Sequence, residues 1–295
     1  MAGEEKPKIE KVREWLMKAG YPLEMRVARA FTMVPSFNRV VLGEIYESKD
    51  RPGTHRAIDV SAQMGVSLYR PKALRGTDVT MWVDLFAVVE CKSNPKGTKP
   101  WLVFSDPTHP TDSRFTITTL GGTELGRWLF KELSLDSDFN ELPLFTAPRI
   151  GYAVKCANLG ESNPNPRENN QDTAYEAVME VLSAARAKAD IQASDYRIFR
   201  IVIPVIVVGA DLYECWLDHG GEMQLESRDE MALLYKTKPG VDAAAHAMIY
   251  IVTEAKLPDL IQRIRRAHDE LTNDEELLLK GCKQVPPDPE PPDDL

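Results

Sequence analysis

MWVDLFAVVECKS, residues 81–93, decides the fold, because it is apolar for most of its length and then ends in charged side chains. A strand that is apolar on both faces belongs in the interior of a sheet. Alternate side chains of a strand share a face, so Glu90 and Lys92 point the same way and Cys91 points into the opposite layer. A buried carboxylate needs a cation, a metal ion or a hydrogen-bond network. The stretch therefore predicts an interior strand with a charged site at its end.

A hairpin is predicted just before this strand. RVVLGEIYES (39–48) and RAIDVSAQM (56–64) are strand-like, and the turn-forming residues KDRPGTH separate them. Asp59 lies between Ile58 and Val60, within an apolar segment. A second carboxylate is thus expected on the strand that precedes Glu90.

The remaining elements alternate between helices and strands. Two helices are predicted within 8–33, broken at Gly20–Tyr21–Pro22, and the residues from 65 to 80 are ambiguous. The segment 212–218 is expected to continue the strand before it or to pair with it. The other predictions are helices at 123–133, 172–189 and 257–271 and strands at 100–104, 149–155, 197–211 and 246–253. This order predicts the α/β class, with one mixed β-sheet flanked by helices.

Composition excludes several classes of protein. The chain has 295 residues and a net charge of −9, so it is not a general polyanion binder. Its four cysteines form no CxxC pair, which argues against a disulfide framework and a structural zinc site. The first residues lack the apolar region of a secretory signal, and no apolar run is long enough to span a bilayer. A reducing cytoplasm is the expected compartment, with no membrane partner.

One domain is expected over 1–280. Its core covers about 8–218, and a strand–helix extension covers about 219–280. An inserted segment is expected between Lys92 and residue 171. The tail 281–295 is rich in proline and acid, which predicts disorder.

The charged pattern resembles a known family. AID at 57–59 followed by VECK at 89–92 is similar to the signature of the PD-(D/E)xK nuclease superfamily, which has the restriction-endonuclease-like fold. The core of that family runs helix, three strands, helix, strand, and the predicted elements follow the same order. By element order the resemblance covers roughly residues 8–218, and by identity only a handful of residues.

Two further matches extend the resemblance. Many members carry a glutamate on the first core helix, and Glu24 in PLEMRVARAF matches that position. Gln171 and Tyr175 form a Q-x-x-x-Y pattern at the start of the next helix, as in the RecB-like branch. Their spacing of four places both on one helical face.

The resemblance implies a metal-dependent nuclease, with DNA favoured over RNA as the substrate. Asp59, Glu90 and the main-chain carbonyl of Cys91 would hold Mg²⁺ or Mn²⁺, with Glu24 as a further ligand. Lys92 would position the attacking water, and Gln171 and Tyr175 would contact the same phosphate or water. A family-level role in defence against foreign nucleic acid or in repair follows from the same resemblance.

Two alternatives stay open from the residues alone. The fold can serve as a binding or assembly module without turnover in a larger complex, and the net negative charge favours this. An enzyme acting on a small phosphorylated molecule is the third hypothesis. Targeting by a protein partner, or a homodimer, is compatible with each of them.

Overall fold

A computed structural model describes residues 7–18, 20–48, 52–74, 77–94, 99–106, 150–157, 159, 173–189, 198–236 and 246–273. The helices are α1 (Lys8–Lys18), α2 (Tyr21–Thr32), α3 (Thr173–Ala189) and α4 (Leu257–Asn273). The strands are β1 (Arg39–Glu47), β2 (His55–Leu74), β3 (Thr77–Ser93), β4 (Trp101–Ser105), β5 (Ile150–Cys156), β6 (Ile198–Gly209), β7 (Leu212–Leu217), β8 (Met223–Arg228), β9 (Glu230–Lys236) and β10 (His246–Thr253).

The described strands form one mixed sheet in the order β1-β2-β3-β6-β10-β9-β5-β4-β7-β8. The first three strands are an antiparallel meander, and β6 lies parallel to β3 on one side and to β10 on the other. The α/β class and the mixed sheet flanked by helices are therefore confirmed. No helix in the described ranges has the length and apolar character needed to cross a bilayer.

Helices cover both faces of the sheet. On one face α2 and α4 pack over odd-numbered residues of β3, such as Leu85 and Val89. On the other face α3 packs over even-numbered residues, such as Phe86 and Val88. β6 is buried on both faces, which explains its nearly continuous run of β-branched residues. The site at the end of β3 thus lies between two helical layers.

The sheet curls back on itself. β6 and β7 are fourth and ninth in the sheet, but only residues 210 and 211 connect them. Five strand spacings in a flat sheet would be about 24 Å, and the three Cα–Cα steps from Gly209 to Leu212 reach at most about 11 Å. The far half of the sheet must therefore fold over toward β6. The backbone N–H of Trp101 donates to the Asp211 carbonyl at 2.8 Å and fastens β4 at this bend.

Several sequence predictions need correction or extension. The ambiguous residues 65–80 extend β2 and β3 into a long antiparallel hairpin. The segment 212–218 neither continues β6 nor pairs with it, because it forms β7 between β4 and β8. The strands β8 and β9 were not predicted. β10, placed in an extension by the sequence, lies inside the sheet between β6 and β9. The predicted helix at 123–133, Gln171 and the tail at 281–295 lie outside the described residues.

A candidate acidic site at the fork of two strands

Strands β2 and β3 separate at Asp59. Their last paired residues are Val60 and Val89, and beyond them β3 continues beside β6 as far as Ser93. At the fork the Asp59 carboxylate replaces the backbone acceptor of β2, because its Oδ2 accepts a hydrogen bond from the Cys91 backbone N–H at 2.7 Å. A side chain thus satisfies an N–H group that the neighbouring strand has left.

A local irregularity in β2 produces this fork. Ile58 packs on the α3 side of the sheet and Val60 on the α2 side, although regular alternation would put them on one face. The position across from Asp59 in the β1–β2 register is Gly43, which has a φ of 63° in the left-handed region. Glycine adopts this conformation without the steric cost that a side chain would bring. The irregularity frees Asp59 from the ladder and directs its carboxylate to β3.

Glu90 and Lys92 occupy the α3 side of β3, as their alternation predicts. The Lys92 Nζ donates to Glu90 Oε1 at 2.6 Å and to Glu180 Oε2 at 3.1 Å. Glu90 is buried, with 6% of its surface exposed, whereas Lys92 and Glu180 are partly open to solvent. The Lys92 ammonium is therefore held between two carboxylates at the rim of the site.

Glu24 approaches from the opposite helical layer. α2 begins at Tyr21, directly after Gly20, whose φ is 89°. A Cβ placed on Gly20 would lie 3.4 Å from Ser93 Oγ and 3.8 Å from Glu24 Oε1, which fixes the start of α2 against the end of β3. The charge of Asp59 reaches Glu24 and contributes to its raised pKa. The structure thus brings Glu24, Asp59, Glu90 and Lys92 to one place.

Burial and mutual repulsion dominate the electrostatics of this acidic site. Burial, and then the charge of Asp59, raise the pKa of Glu90 to about 8. Burial is also the main cause of the raised pKa values of Asp59 and Glu24. Burial opposes the charge of Lys92, but Glu90 and Glu180 outweigh it and raise the pKa of its ammonium. Among the described residues, the acidic site has more carboxyl groups than the Lys92 ammonium can neutralise.

The residues can supply ligands for a hard cation. Asp59 and Glu90 offer carboxylate oxygens, and the main-chain carbonyl of Cys91 is the third oxygen of the predicted set. A cation would relieve the repulsion that raises the pKa of the buried carboxyls. In the described part of the chain, no three His, Cys, Asp or Glu side chains are arranged to hold one ion. The residues present therefore fit a hard cation through two carboxylates and one main-chain oxygen.

Tyr175, from the second part of the predicted set, is not brought to this place. Tyr175 lies on α3 against Tyr235 of β9, and about half of its surface is exposed. Successive residues of a helix turn by 100°, so Tyr175 and Glu180 project from α3 in different directions. Gln171 is outside the described residues.

Glu180 was missed by the sequence analysis, although a signal was present. It follows Ala177 by three positions and precedes Ala184 by four, and both alanines are buried against the sheet. Spacings of three and four put Glu180 on the same side of α3. A carboxylate on the apolar side of a helix indicates a polar partner across the interface, and here that partner is Lys92. The Tyr46 hydroxyl donates to the Glu180 carbonyl at 3.3 Å and helps to fix this turn.

Comparison of the chain with protein-family models, with curated proteins and with solved structures finds no match in any of the three.

Proposed function

We propose that this protein is a metal-dependent nuclease that hydrolyses phosphodiester bonds at the acidic site, with DNA favoured over RNA. The observation that carries the proposal is the fork at Asp59, which joins its carboxylate to the Cys91 N–H beside Glu90 and Lys92. Two carboxylates and a lysine at one strand end are the groups that the sequence resemblance implies.

The arrangement of elements supports the same proposal. α2, β1, β2, β3, α3 and β6 occur in this order in the described chain, with β4 and β5 inserted between β3 and α3, and β6 lies parallel to β3. This is the order of the restriction-endonuclease-like core, to which the signature residues are similar. The acidic site lies at the end of the central strand of this unit, between the two helices.

Asp59 and Glu90, with the Cys91 carbonyl, would hold Mg²⁺ or Mn²⁺, which when bound neutralises charge on a phosphate and lowers the pKa of water. Lys92 supplies hydrogen-bond donors that can orient the attacking water or a phosphate oxygen. Glu180 holds the Lys92 ammonium from the α3 side, so its role is to position Lys92. Glu24 stands at the edge of the site as a further oxygen donor.

The direct test is cleavage of labelled single- and double-stranded DNA and RNA with Mg²⁺ or Mn²⁺. The Glu90→Gln and Lys92→Ala variants should each lose at least about a hundredfold in rate, since each removes a group from the reacting centre. Glu226→Gln on β8 and Lys155→Ala on β5 are matched controls that should keep the wild-type rate. Activity that survives Glu90→Gln or Lys92→Ala would contradict the mechanism.

A positioning role for Glu180 has its own test. Glu180→Gln should lower kcat about tenfold with little change in KM, because Lys92 keeps its bond to Glu90 and its second, charge-assisted hydrogen bond becomes a weaker one to a neutral amide. Glu176→Gln, one turn earlier on α3 and exposed to solvent, is the control. A lower thermal stability of Glu180→Gln with unchanged kcat would show that the contact is only structural.

One observation favours the alternative of a binding or assembly module. Both hydrogen bonds of Lys92 go to carboxylates, so the ammonium is already satisfied in the absence of substrate. A titration with Mn²⁺ separates the two functions, because an ion that binds only the folded state raises the melting temperature. The nuclease proposal predicts a rise in the wild type and none in Glu90→Gln. No shift in either protein, together with no cleavage, would leave the module as the better account.

A further inference from the structure

Two aromatic side chains lie exposed beside the acidic site. Trp15, near the end of α1, and Tyr21, at the start of α2, have ring centroids 6.2 Å apart and planes tilted by 41°. Trp15 is 60% exposed and Tyr21 49% exposed. Single exposed apolar residues are common on protein surfaces, but two neighbouring exposed rings form a larger apolar surface.

The chain path sets the distance between this aromatic pair and the acidic site. Gly20 precedes Tyr21 directly, and a Cβ on Gly20 would be in van der Waals contact with Ser93 and with the Glu24 carboxylate. Adjacent Cα atoms are about 3.8 Å apart. The Tyr21 backbone therefore lies next to Ser93 and Glu24 at the edge of the acidic site, and the Tyr21 ring is paired with that of Trp15.

The helix that carries Trp15 is basic, although the chain as a whole is acidic. α1 contains Lys8, Lys11, Arg13 and Lys18 against Glu10 and Glu14, a net charge of +2 in a chain of −9. Lys8 and Lys11 precede Trp15 by seven and four residues, and these helical spacings put them on its side of α1. Positive charge along an aromatic surface suits a polyanion that also carries flat rings.

We infer that Trp15 and Tyr21 form a stacking platform for unpaired bases, and that the ligand is single-stranded nucleic acid passing along α1 toward the acidic site. The inference rests on the proposed function and adds the strand state of its substrate. Every base offers a flat face to an aromatic ring, but in a duplex neighbouring base pairs cover that face. A strand held by its bases on Trp15 and Tyr21 presents its backbone to Glu24, Asp59 and Lys92.

The test measures binding separately from cleavage. Fluorescence anisotropy of labelled oligo-dT and oligo-U, on the Glu90→Gln background, gives affinities without hydrolysis. Trp15→Ala and Tyr21→Ala should each weaken binding about tenfold, as stacking of one base on one ring implies. Trp15→Phe should retain most of the affinity, because it keeps a ring. Binding of an abasic oligomer should be weak and insensitive to Trp15→Ala.

Trp82→Ala is the matched control, because Trp82 is a half-exposed tryptophan on the same strand as Lys92. Ten residues of strand separate the two, about 33 Å, so this substitution should leave the affinity unchanged. A duplex of equal length should bind more weakly than the single strand, and Trp15→Ala should not change its affinity.

The outcomes distinguish this inference from the proposed function. Equal affinity of wild type, Trp15→Ala and Tyr21→Ala for the single strand would overturn the platform, even if the protein cleaves nucleic acid. Tighter binding of the duplex would overturn it as well. Single-strand binding that depends on Trp15 and Tyr21, without cleavage, would support the platform and refute the nuclease.

Discussion

The Glu90 carboxyl group is buried next to the Asp59 carboxyl group. The pH dependence of the free energy of unfolding should therefore show the effect of this burial. The pKa of Glu90 rises from an ordinary 4.5 to about 8. Between these values the folded state binds a proton that the unfolded state releases, so stability is greatest at low pH and falls as pH rises through the window. The maximal slope for one group is about 1.4 kcal/mol per pH unit.

Urea denaturation at pH 5, 6, 7 and 8, in the presence of EDTA, measures this slope. The free energy of unfolding should fall toward pH 8 in the wild type. Glu90→Gln should flatten the dependence, and the remaining slope combines the raised pKa values of Asp59 and Glu24 with the lowered pKa of His268, which acts in the opposite direction. A wild-type stability that increases from pH 5 to pH 8 would contradict the electrostatic description of the acidic site.

Asp59 has a structural role and a chemical role that two substitutions can separate. Asp59→Asn keeps an oxygen that can accept the Cys91 N–H and removes a charge that repels Glu90. It should be at least as stable as the wild type and should lose nuclease activity. Asp59→Ala leaves the Cys91 N–H without its acceptor and should cost about 1–3 kcal/mol of stability. Denaturation curves of the two variants, with a cleavage assay, test both roles.

The sequence predicted the members of the acidic site that lie on strands, because two-residue alternation fixes which side chains share a face. Glu90 and Lys92 follow directly from this rule, and Asp59 follows from the hairpin. The direction of the Asp59 carboxylate toward β3 could not be predicted, because it depends on the irregularity opposite Gly43. Glu180 was missed because α3 packs on β3 through contacts between residues that are distant in sequence.

At the scale of elements, the junction of α1 and α2 determines where Glu24 and the aromatic pair stand. Gly20 has a left-handed backbone, and a Cβ added to it would be in van der Waals contact with Ser93 and Glu24. Gly20→Ala should cost about 1–2 kcal/mol from the backbone alone, with an added cost if Ser93 must move. It should also reduce cleavage, because relief of the strained φ at residue 20 would move the start of α2, which carries Glu24.

Gly53→Ala is the matched control for this prediction. Gly53 has a φ of 81° and nothing within 4 Å of an added Cβ, so its substitution measures the backbone cost without a contact. Thermal denaturation of the two variants gives the difference. Equal destabilisation, with equal cleavage rates, would show that the contact at Gly20 does not position the site.

Elements with a strong pattern were predicted well, and polar edge elements were not. β3 and β6 carry long apolar runs, and α4 buries one face through leucine and isoleucine at helical spacing. β8 has the sequence MQLESR and is mostly exposed at the edge of the sheet. Its backbone pairing with β7, rather than side-chain burial, makes it a strand, and composition does not reveal that pairing.

For the whole molecule, the position of β10 has a consequence for truncation. β10 lies between β6 and β9, and α4 covers the face shared with α2. A chain that ends at residue 245 loses both elements and exposes the interior of the sheet. It should show no cooperative unfolding transition, because a single core needs both faces covered.

A chain that ends at residue 273 is the control, since it keeps every described element. Urea denaturation followed by circular dichroism should give a cooperative transition for this chain alone. A cooperative transition in the shorter chain would show that residues 8–218 and the strands that follow fold without β10 and α4.

The reactivity of the Cys91 thiol can report how often this end of the sheet opens. Its side chain packs under the acidic site, on the side of α2, and burial together with the adjacent carboxylates raises the pKa of its thiol. Only the thiolate is alkylated, so the raised pKa keeps Cys91 slow to react with iodoacetamide until the fork opens and the thiol meets water. In a variant whose single cysteine is Cys91, the rate of alkylation therefore measures how often the fork opens. An ion bound at the acidic site should lower this rate.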